Sequence, residues 1–207
     1  LGASQSQVLW MINIYAISLA ALLLPLGAVG DRWGRKPVLL IGLTVFGVAN
    51  IASGLAPSTE VMMAARFLSG VGAAMIMPVT LSVITSVFPD EERSKAIGVW
   101  TGVAGAGGIL GMFLSAVLVD FLSWRWLFAL PVVLVVAAVV MALRAVPNSR
   151  QFSQHRFDTL GSKLSLLAIM GVSFALHEGP AIGWTATETL AGLVLGVSAF
   201  IGFIVWE

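Results

Sequence analysis

Hydrophobic residues occur in seven long runs along the chain, and short polar segments separate these runs. The runs cover approximately residues 8–29, 38–55, 61–88, 95–119, 126–143, 161–178 and 190–206. A helix needs about 20 apolar residues, at about 1.5 Å per residue, to cross the hydrocarbon core of a bilayer. The runs lack the alternation of polar and apolar positions that a transmembrane β-strand would show. The pattern therefore predicts seven membrane-spanning α-helices.

The cationic residues concentrate in every second polar segment. Nine of the eleven Lys and Arg residues lie in three segments, at residues 31–36, 89–95 and 144–163. The other three polar segments contain only Arg125. Because short cytoplasmic loops carry the excess of Lys and Arg, the cation-rich segments are predicted to be cytoplasmic. The first helix then enters the membrane from outside, and Glu207 lies in the cytoplasm.

The composition also indicates a chain that lies mostly in a bilayer. Hydrophobic residues make up 58% of the sequence and charged residues 10%, whereas soluble domains are roughly 25% charged; the mean hydropathy is +0.99. The net charge of +1 gives no basic surface for nucleic acid. With no cysteine and two histidines, neither a disulfide framework nor a metal-ligand spacing is present. We expect an integral all-α membrane protein whose partner is the lipid bilayer.

The longest polar segment divides the predicted helices into two groups. Residues 144–160 include Pro147 and show no apolar periodicity, so they are predicted to form a cytoplasmic linker. Five helices precede this linker within residues 1–143, and two follow it within residues 161–207. The chain begins at Leu1 without methionine and stops as a hydrophobic run ends. We interpret it as a fragment of a longer protein.

A block of charges separates the first two hydrophobic runs. Four of its residues are charged, namely Asp31, Arg32, Arg35 and Lys36. It also contains three glycines, namely Gly27, Gly30 and Gly34. Such a block cannot lie in hydrocarbon, and glycine allows helix ends to approach closely and turn sharply. Residues 27–36 are therefore predicted to form a tight turn at the cytoplasmic membrane surface.

Arg66 is the one cation inside a hydrophobic run. An Arg near the bilayer centre costs about 2.5–3.5 kcal/mol on insertion scales, so it should face protein or a water-filled cavity. Alternatively, its side chain could reach the outer membrane surface. The same helix face continues at intervals of four residues with Gly70, Ala74 and Pro78, which predicts that this face packs against another helix. That packing favours a partner for Arg66 inside the protein.

Small residues also recur every four positions in the fourth run, at Gly107, Gly111 and Ser115. They predict a flat helix face against which another backbone can lie, either in static packing or between helices that move. His177 and Glu178 lie at the end of the sixth run and are followed by Gly179 and Pro180. We interpret this pair as part of a loop rather than as a metal or proton site. No nucleophile and base pair stands out, and neither glycine-rich segment meets the requirements of a nucleotide loop.

The charged block resembles the signature G-x-L-x-D-R-x-G-R-[KR] between the second and third helices of the major facilitator superfamily, with Val29 at the usual leucine position. Residues 66–74 resemble the arginine motif of the fourth helix, and residues 88–98 resemble the family's next conserved segment. Residues 123–128 look like the loop between helices five and six in the fourteen-helix drug:proton antiporter branch, in which two extra helices come after the first six. By this resemblance the chain covers about helices two to eight.

The resemblance implies a partial major-facilitator-type helical bundle in a cell membrane, expected to be a bacterial inner membrane. Residues 1–143 would be helices two to six, and residues 161–207 the two extra helices. Helix one and the second half of the protein would be missing partners. The residues expected to act as a conformational switch are Gly27, Asp31, Arg32, Gly34, Arg35 and Lys36. Arg66 would couple protons, and Gly70, Pro78, Gly107 and Gly111 would form packing hinges.

The implied activity is proton-coupled efflux of amphipathic or cationic drugs by alternating access, driven by the proton gradient without a cofactor. Substrate-binding residues are not identified by the sequence. The resembling antiporters usually carry G-P-x-x-G-G in helix five, where this chain has Gly-Met-Phe-Leu-Ser-Ala at residues 111–116, so export and import both stay open. The alternatives are transport of a native metabolite or lipid, and a remnant that does not transport. An intramembrane enzyme would need a cluster of polar catalytic residues, which Arg66 alone does not supply.

Overall fold

The computed structural model describes residues 1–147 and 158–206. These residues form seven α-helices and a short 3-10 helix, with no β-strand among them. The elements are α1 (Gln5–Trp33), α2 (Arg35–Gly54), α3 (Thr59–Val87), α4 (Asp90–Phe121), the 3-10 helix (Trp124–Phe128), α5 (Ala129–Ala145), α6 (Thr159–Ile182) and α7 (Thr187–Trp206). Seven segments are long and apolar enough to cross a membrane, the fifth being the 3-10 helix together with α5. The predicted all-α membrane fold is confirmed for the described part of the chain.

Several helices begin before their hydrophobic runs because polar residues cap them. At the start of α1, the Ser4 hydroxyl accepts a bond from the Gln7 backbone N–H at 3.3 Å, and Gln7 Oε1 accepts one from the Ser4 N–H at 2.9 Å. Asp158 caps α6 by accepting from the Gly161 N–H at 2.8 Å. Each cap satisfies backbone donors that have no partner within the helix. The helices therefore extend into the polar segments.

The predicted linker at residues 144–160 is described only at its ends. Arg144 and Ala145 belong to α5, and Thr159 and Leu160 belong to α6. Both flanking helices thus extend into the predicted linker, whose residues 148–157 lie outside the described part of the chain.

The described helices form two groups that meet along α1. In the first group α3 packs against α1 and α2, and α2 also packs against α5. Its core contains buried Val38, Leu39 and Leu43 of α2, Val79 of α3 and Ala142 of α5. In the second group α6 packs against α7, and α6 also contacts α1.

Close helix approach in both groups depends on glycine. A Cβ added at Gly72 of α3 would lie 2.7 Å from the Phe46 backbone nitrogen of α2. A Cβ at Gly171 of α6 would lie 2.7 Å from the Gly192 carbonyl oxygen of α7. Small residues matter here because lipid is as apolar as the helices, and association depends on tight packing.

The long helix α4 differs from its neighbours because none of its residues is buried. It touches only α3 and the 3-10 helix among the described elements. Residues 111–116, which lack the proline and terminal glycines of the resembling motif, lie within this continuous helix.

Candidate functional site

The charged block forms a corner between α1 and α2 that is tighter than predicted. α1 continues to Trp33, α2 begins at Arg35, and Gly34 alone separates them with φ of 115°. This positive φ favours glycine, which has no Cβ to clash with the backbone. The prediction of a turn over residues 27–36 is therefore wrong in extent, because most of the block is helical and one residue makes the turn.

Two of the glycines in the block serve helix packing rather than the turn. A Cβ added at Gly27 would lie 3.1 Å from Pro78 Cβ, and one added at Gly30 would lie 2.5 Å from Val79 Cγ2. Both contacts are with α3. The end of α1 is thus held close to α3 just before the chain turns into α2.

The charged side chains of the corner have different environments. Arg35 is buried and its Nε lies 3.4 Å from Asp31 Oδ1, whereas the Asp31 side chain is 41% exposed. Lys36 Nζ donates a hydrogen bond to the Leu143 carbonyl oxygen of α5 at 2.9 Å. Arg32 is exposed. The corner therefore joins α1, α2 and α5, and its carboxylate keeps acceptor capacity for a further partner.

Arg66 on α3 points toward α1. Its Nε donates to the Met11 carbonyl oxygen at 3.1 Å, and its guanidinium carbon lies 4.5 Å from the centre of the Tyr15 ring. Among the described residues, no Asp or Glu lies within 4.0 Å of Arg66. An Arg over an aromatic ring gains about 0.5–2 kcal/mol, so α1 stabilises the cation without neutralising it.

The face of α3 that continues from Arg66 lies against α1, as the spacing predicts. A Cβ added at Gly70 would lie 2.6 Å from the Tyr15 carbonyl oxygen and would overlap the Ser18 hydroxyl. The Ser18 hydroxyl also lies 3.3 Å from the Phe67 carbonyl oxygen, which links the two helices. Pro78 continues the contact further along α3, against Gly27.

The predicted packing face of α4 has no neighbour among the described residues. A Cβ added at Gly107 or Gly111 would meet no atom within 4 Å. The role of these glycines in helix packing stays a prediction that concerns parts of the protein beyond the described chain.

His177 and Glu178 are not in a loop, contrary to the sequence interpretation. Both lie inside α6, with side chains that are 8% and 17% exposed. Trp10 Nε1 of α1 donates to Glu178 Oε1 at 2.9 Å, and Asn13 Nδ2 lies 2.8 Å from His177 Nδ1. Sequence reasoning missed this cluster because its two halves are far apart in the chain. The available signal was an ionisable pair adjoining an apolar run, which is costly unless it has partners.

Two cavities flank the side of α1 where it meets α6. One, of about 700 Å³, is lined at its polar end by Gln5, Ser6, Asn13, Ser173 and His177. The other, of about 350 Å³, is bounded mainly by apolar side chains from α1, α3 and α6, namely Trp10, Ile14, Ile17, Leu22, Phe67, Leu166, Met170 and Phe174. Among the described residues, no group of three His, Cys, Asp or Glu side chains could hold a metal ion.

Comparison with known proteins identifies the family. The Major Facilitator Superfamily model matches residues 1–206. The methylenomycin A resistance protein of Bacillus subtilis is 33% identical over all of this chain and 44% of its own length. The multidrug efflux pump LfrA of Mycolicibacterium smegmatis is 35% identical over 93% of this chain and 39% of its own length.

A third relative is the methyl viologen resistance protein SmvA of Salmonella typhimurium, which is 38% identical over 95% of this chain and 41% of its own length. The chain thus spans less than half the length of these relatives. With seven apolar helices and a family match along almost its whole length, this multi-pass membrane chain belongs to the major facilitator superfamily of transporters.

Proposed function

We propose that the chain is part of a proton-coupled exporter of amphipathic or cationic drugs, which works by alternating access. The three relatives carry the names of resistance or efflux proteins, and this supports drug export as the task of the whole protein. The bacterial sources of these relatives support a place in a bacterial inner membrane. Energy would come from the proton gradient, without a cofactor.

Arg66 carries the proton-coupling part of this proposal. Its guanidinium lies within an apolar span, held by the Met11 carbonyl and the Tyr15 ring. These contacts offset part of the cost of burying a cation but leave its charge uncompensated. A fixed positive charge of this kind lowers the pKa of a carboxyl group that comes near it. A carboxyl group brought beside Arg66 by helix motion would release its proton, and one moved away would bind it again.

The corner between α1 and α2 carries the conformational part. Asp31 has one long contact with Arg35 and a side chain that is 41% exposed, so it can accept a further donor. We propose that Asp31 binds the other half of the transporter when the cytoplasmic side is closed, and releases it when that side opens. The single-residue turn at Gly34 and the packing of Gly30 on Val79 make α1 and α2 move as one body.

The proposal predicts that Arg66→Ala abolishes gradient-driven efflux by the full-length protein. The physical reason is that the coupling charge is lost while the packing of Gly70 on α1 and of Pro78 on Gly27 remains. The measurement is efflux of a fluorescent cation from proteoliposomes with and without a pH gradient, together with binding of the same cation to the purified protein. We expect binding to persist and the effect of the gradient to disappear.

Arg125→Ala is the matched control for this experiment. Arg125 also stacks on an aromatic ring, with 4.6 Å between its guanidinium carbon and the Trp124 ring centre, but it lies in the 3-10 helix before α5. The control should retain coupled efflux. Normal gradient-driven efflux by Arg66→Ala at normal expression would rule out Arg66 as the coupling residue.

Transport of a lipid or another apolar metabolite is the second candidate function. The observation that favours it is the cavity of about 350 Å³ between α1, α3 and α6, whose lining is almost entirely apolar. Leu166→Trp on α6 would fill part of this space. If uptake or flipping of a labelled lipid falls in this variant while efflux of the fluorescent cation is unchanged, the lipid function is favoured. Absence of both activities in the wild-type protein would indicate a protein that does not transport.

A further inference from the structure

We infer that His177 and Glu178 of α6, together with Asn13 and Trp10 of α1, form a proton-binding site between these two helices. The site lies near the start of α1 and the end of α6, which the cation distribution predicts to be the outer side of the membrane. It is separate from Arg66 and from the α1–α2 corner. The inference does not depend on the proposed transport function, because proton binding at this site is measurable without substrate or gradient.

The four side chains form one connected cluster. His177 and Glu178 are 8% and 17% exposed, and each has a polar partner on α1. The Trp10 ring centre lies 4.2 Å from that of His177, so the indole contacts both members of the pair. Two ionisable groups are therefore held in an apolar helix interface by contacts that fix their positions.

The hydrogen bonds define the protonation state in which His177 is held. The Asn13 amide nitrogen can only donate, so His177 Nδ1, at 2.8 Å, accepts and carries no proton. The proton of the neutral ring is then on Nε2, which faces Glu178 Oε1 at 4.0 Å. The unoccupied proton position is thus Nδ1, on the side of the ring that contacts α1.

The surroundings can accommodate a proton on Nδ1. Rotation of the Asn13 amide would present its oxygen in place of its nitrogen, so that the amide accepts from the newly formed N–H. The carboxylate of Glu178 would then face a cation at 4.0 Å instead of a neutral ring, and opposite charges at this distance favour the charged form. Both states of the imidazole therefore have partners.

Glu178 is the charged group that faces His177. α1 contributes Trp10 and Asn13, which carry no charge. α7 packs against α6, and its one ionisable residue among those described, Glu188, is exposed and forms no ion pair with His177. The charge balance of the site is therefore set within the pair itself.

A cavity gives protons access to the site. Asn13 and His177 line the cavity of about 700 Å³, together with the polar side chains of Gln5, Ser6 and Ser173. A polar cavity of this size can hold water, and water delivers protons to Nδ1. Protonation adds an ion pair and a cation beside the Trp10 ring to the cluster. Acidification is therefore expected to strengthen the contact between α1 and α6.

The fluorescence of Trp10 provides the test, because a protonated imidazole quenches a neighbouring indole. The full-length protein is titrated in nanodiscs from pH 8 to pH 5, the range in which histidine side chains ordinarily change charge. Subtracting the signal of Trp10→Phe isolates the Trp10 contribution. We expect this contribution to fall as the pH is lowered, and the change to be lost in His177→Gln.

Two variants that keep His177 make the test independent of whether His177→Gln folds. Glu178→Gln removes the carboxylate and should shift the transition to lower pH. Asn13→Asp adds a carboxylate at the position now 2.8 Å from Nδ1 and should shift the transition to higher pH. Trp184→Phe is the control, because Trp184 packs on Gly179 and not on the cluster, and it should leave the transition in place.

A Trp10 contribution that stays constant between pH 8 and pH 5 would overturn the proton-binding site. Carboxylate variants that both titrate like the wild-type protein would overturn it as well. Loss of coupled efflux in Arg66→Ala has no bearing on this result, so failure of the proposed function and failure of this site are distinguishable.

Discussion

The packing of α3 on α1 at Gly70 predicts a large effect for the smallest possible substitution. Gly70→Ala adds one Cβ, 2.6 Å from the Tyr15 carbonyl oxygen and in overlap with the Ser18 hydroxyl. The Tyr15 oxygen belongs to the backbone of α1, so it cannot rotate away. An ordinary contact begins at 3.4 Å, and α1 must therefore retreat by roughly 0.8 Å.

The magnitude is set by three contributions. Overpacking a tight interface costs typically about 1–3 kcal/mol. Moving the Ser18 hydroxyl, which contacts the Ile14, Tyr15 and Phe67 carbonyls, forfeits a further hydrogen bond of about 0.5–1.5 kcal/mol. The better helix propensity of Ala offsets about 1 kcal/mol. We expect a net loss of about 2 kcal/mol.

The same displacement should weaken proton coupling. Arg66 lies one turn before Gly70, and both of its contacts, Met11 and Tyr15, are on the segment of α1 that must move. The assays are the thermal unfolding midpoint of the purified full-length protein and gradient-driven efflux in proteoliposomes. Both should fall in Gly70→Ala, and Ser18→Ala should restore part of the loss because it removes one of the two obstructing oxygens.

Gly105→Ala is the matched control, since a Cβ at this position on α4 meets no described atom within 4 Å. It should leave both quantities near those of the wild-type protein or raise the midpoint slightly through helix propensity. If Gly70→Ala has the midpoint and efflux of Gly105→Ala, then α1 and α3 do not pack as described and the calculation fails.

Two further predictions concern the corner between α1 and α2. Asp31→Asn removes a half-exposed ion pair whose atoms are 3.4 Å apart and which contributes no more than about 1 kcal/mol, so expression and thermal midpoint should hardly change while efflux falls and cysteines on the cytoplasmic side of the cavity become more reactive; wild-type efflux would reduce the corner to a topology signal. Gly34→Ala forces a residue with a Cβ into φ of 115°, which costs about 1–3 kcal/mol, and it should lower the thermal midpoint more than Gly2→Ala at the exposed N-terminus, where equal effects would mean that the turn relaxes freely.

The sequence predicted the helices well because the bilayer imposes a local rule. Backbone groups in hydrocarbon must be satisfied within the segment, so a long apolar run becomes a helix whatever its neighbours do. The seven runs accordingly correspond to seven helices, and the charged block marks the first predicted cytoplasmic corner. Capping residues such as Ser4 and Asp158 account for the ends that the runs alone placed too far inward.

The spacing of small residues was a weaker guide to packing. The four-residue series from Arg66 to Pro78 correctly predicted a helix contact, yet the similar series at Gly107 and Gly111 faces no described neighbour. The same pattern thus has different outcomes because a flat face permits a contact but does not select the partner.

The sequence by itself therefore determined the helix content, the approximate boundaries, the position of the first corner and the family. Only the tertiary structure decided that Arg66 contacts Met11 and Tyr15 and that His177 and Glu178 are buried against Trp10 and Asn13. Apolar length is a property of one segment, whereas these contacts join positions far apart in the chain. Between helices in lipid there is no hydrophobic driving force, so the choice of partner depends on shape and on a few polar contacts that only the assembled helices bring together.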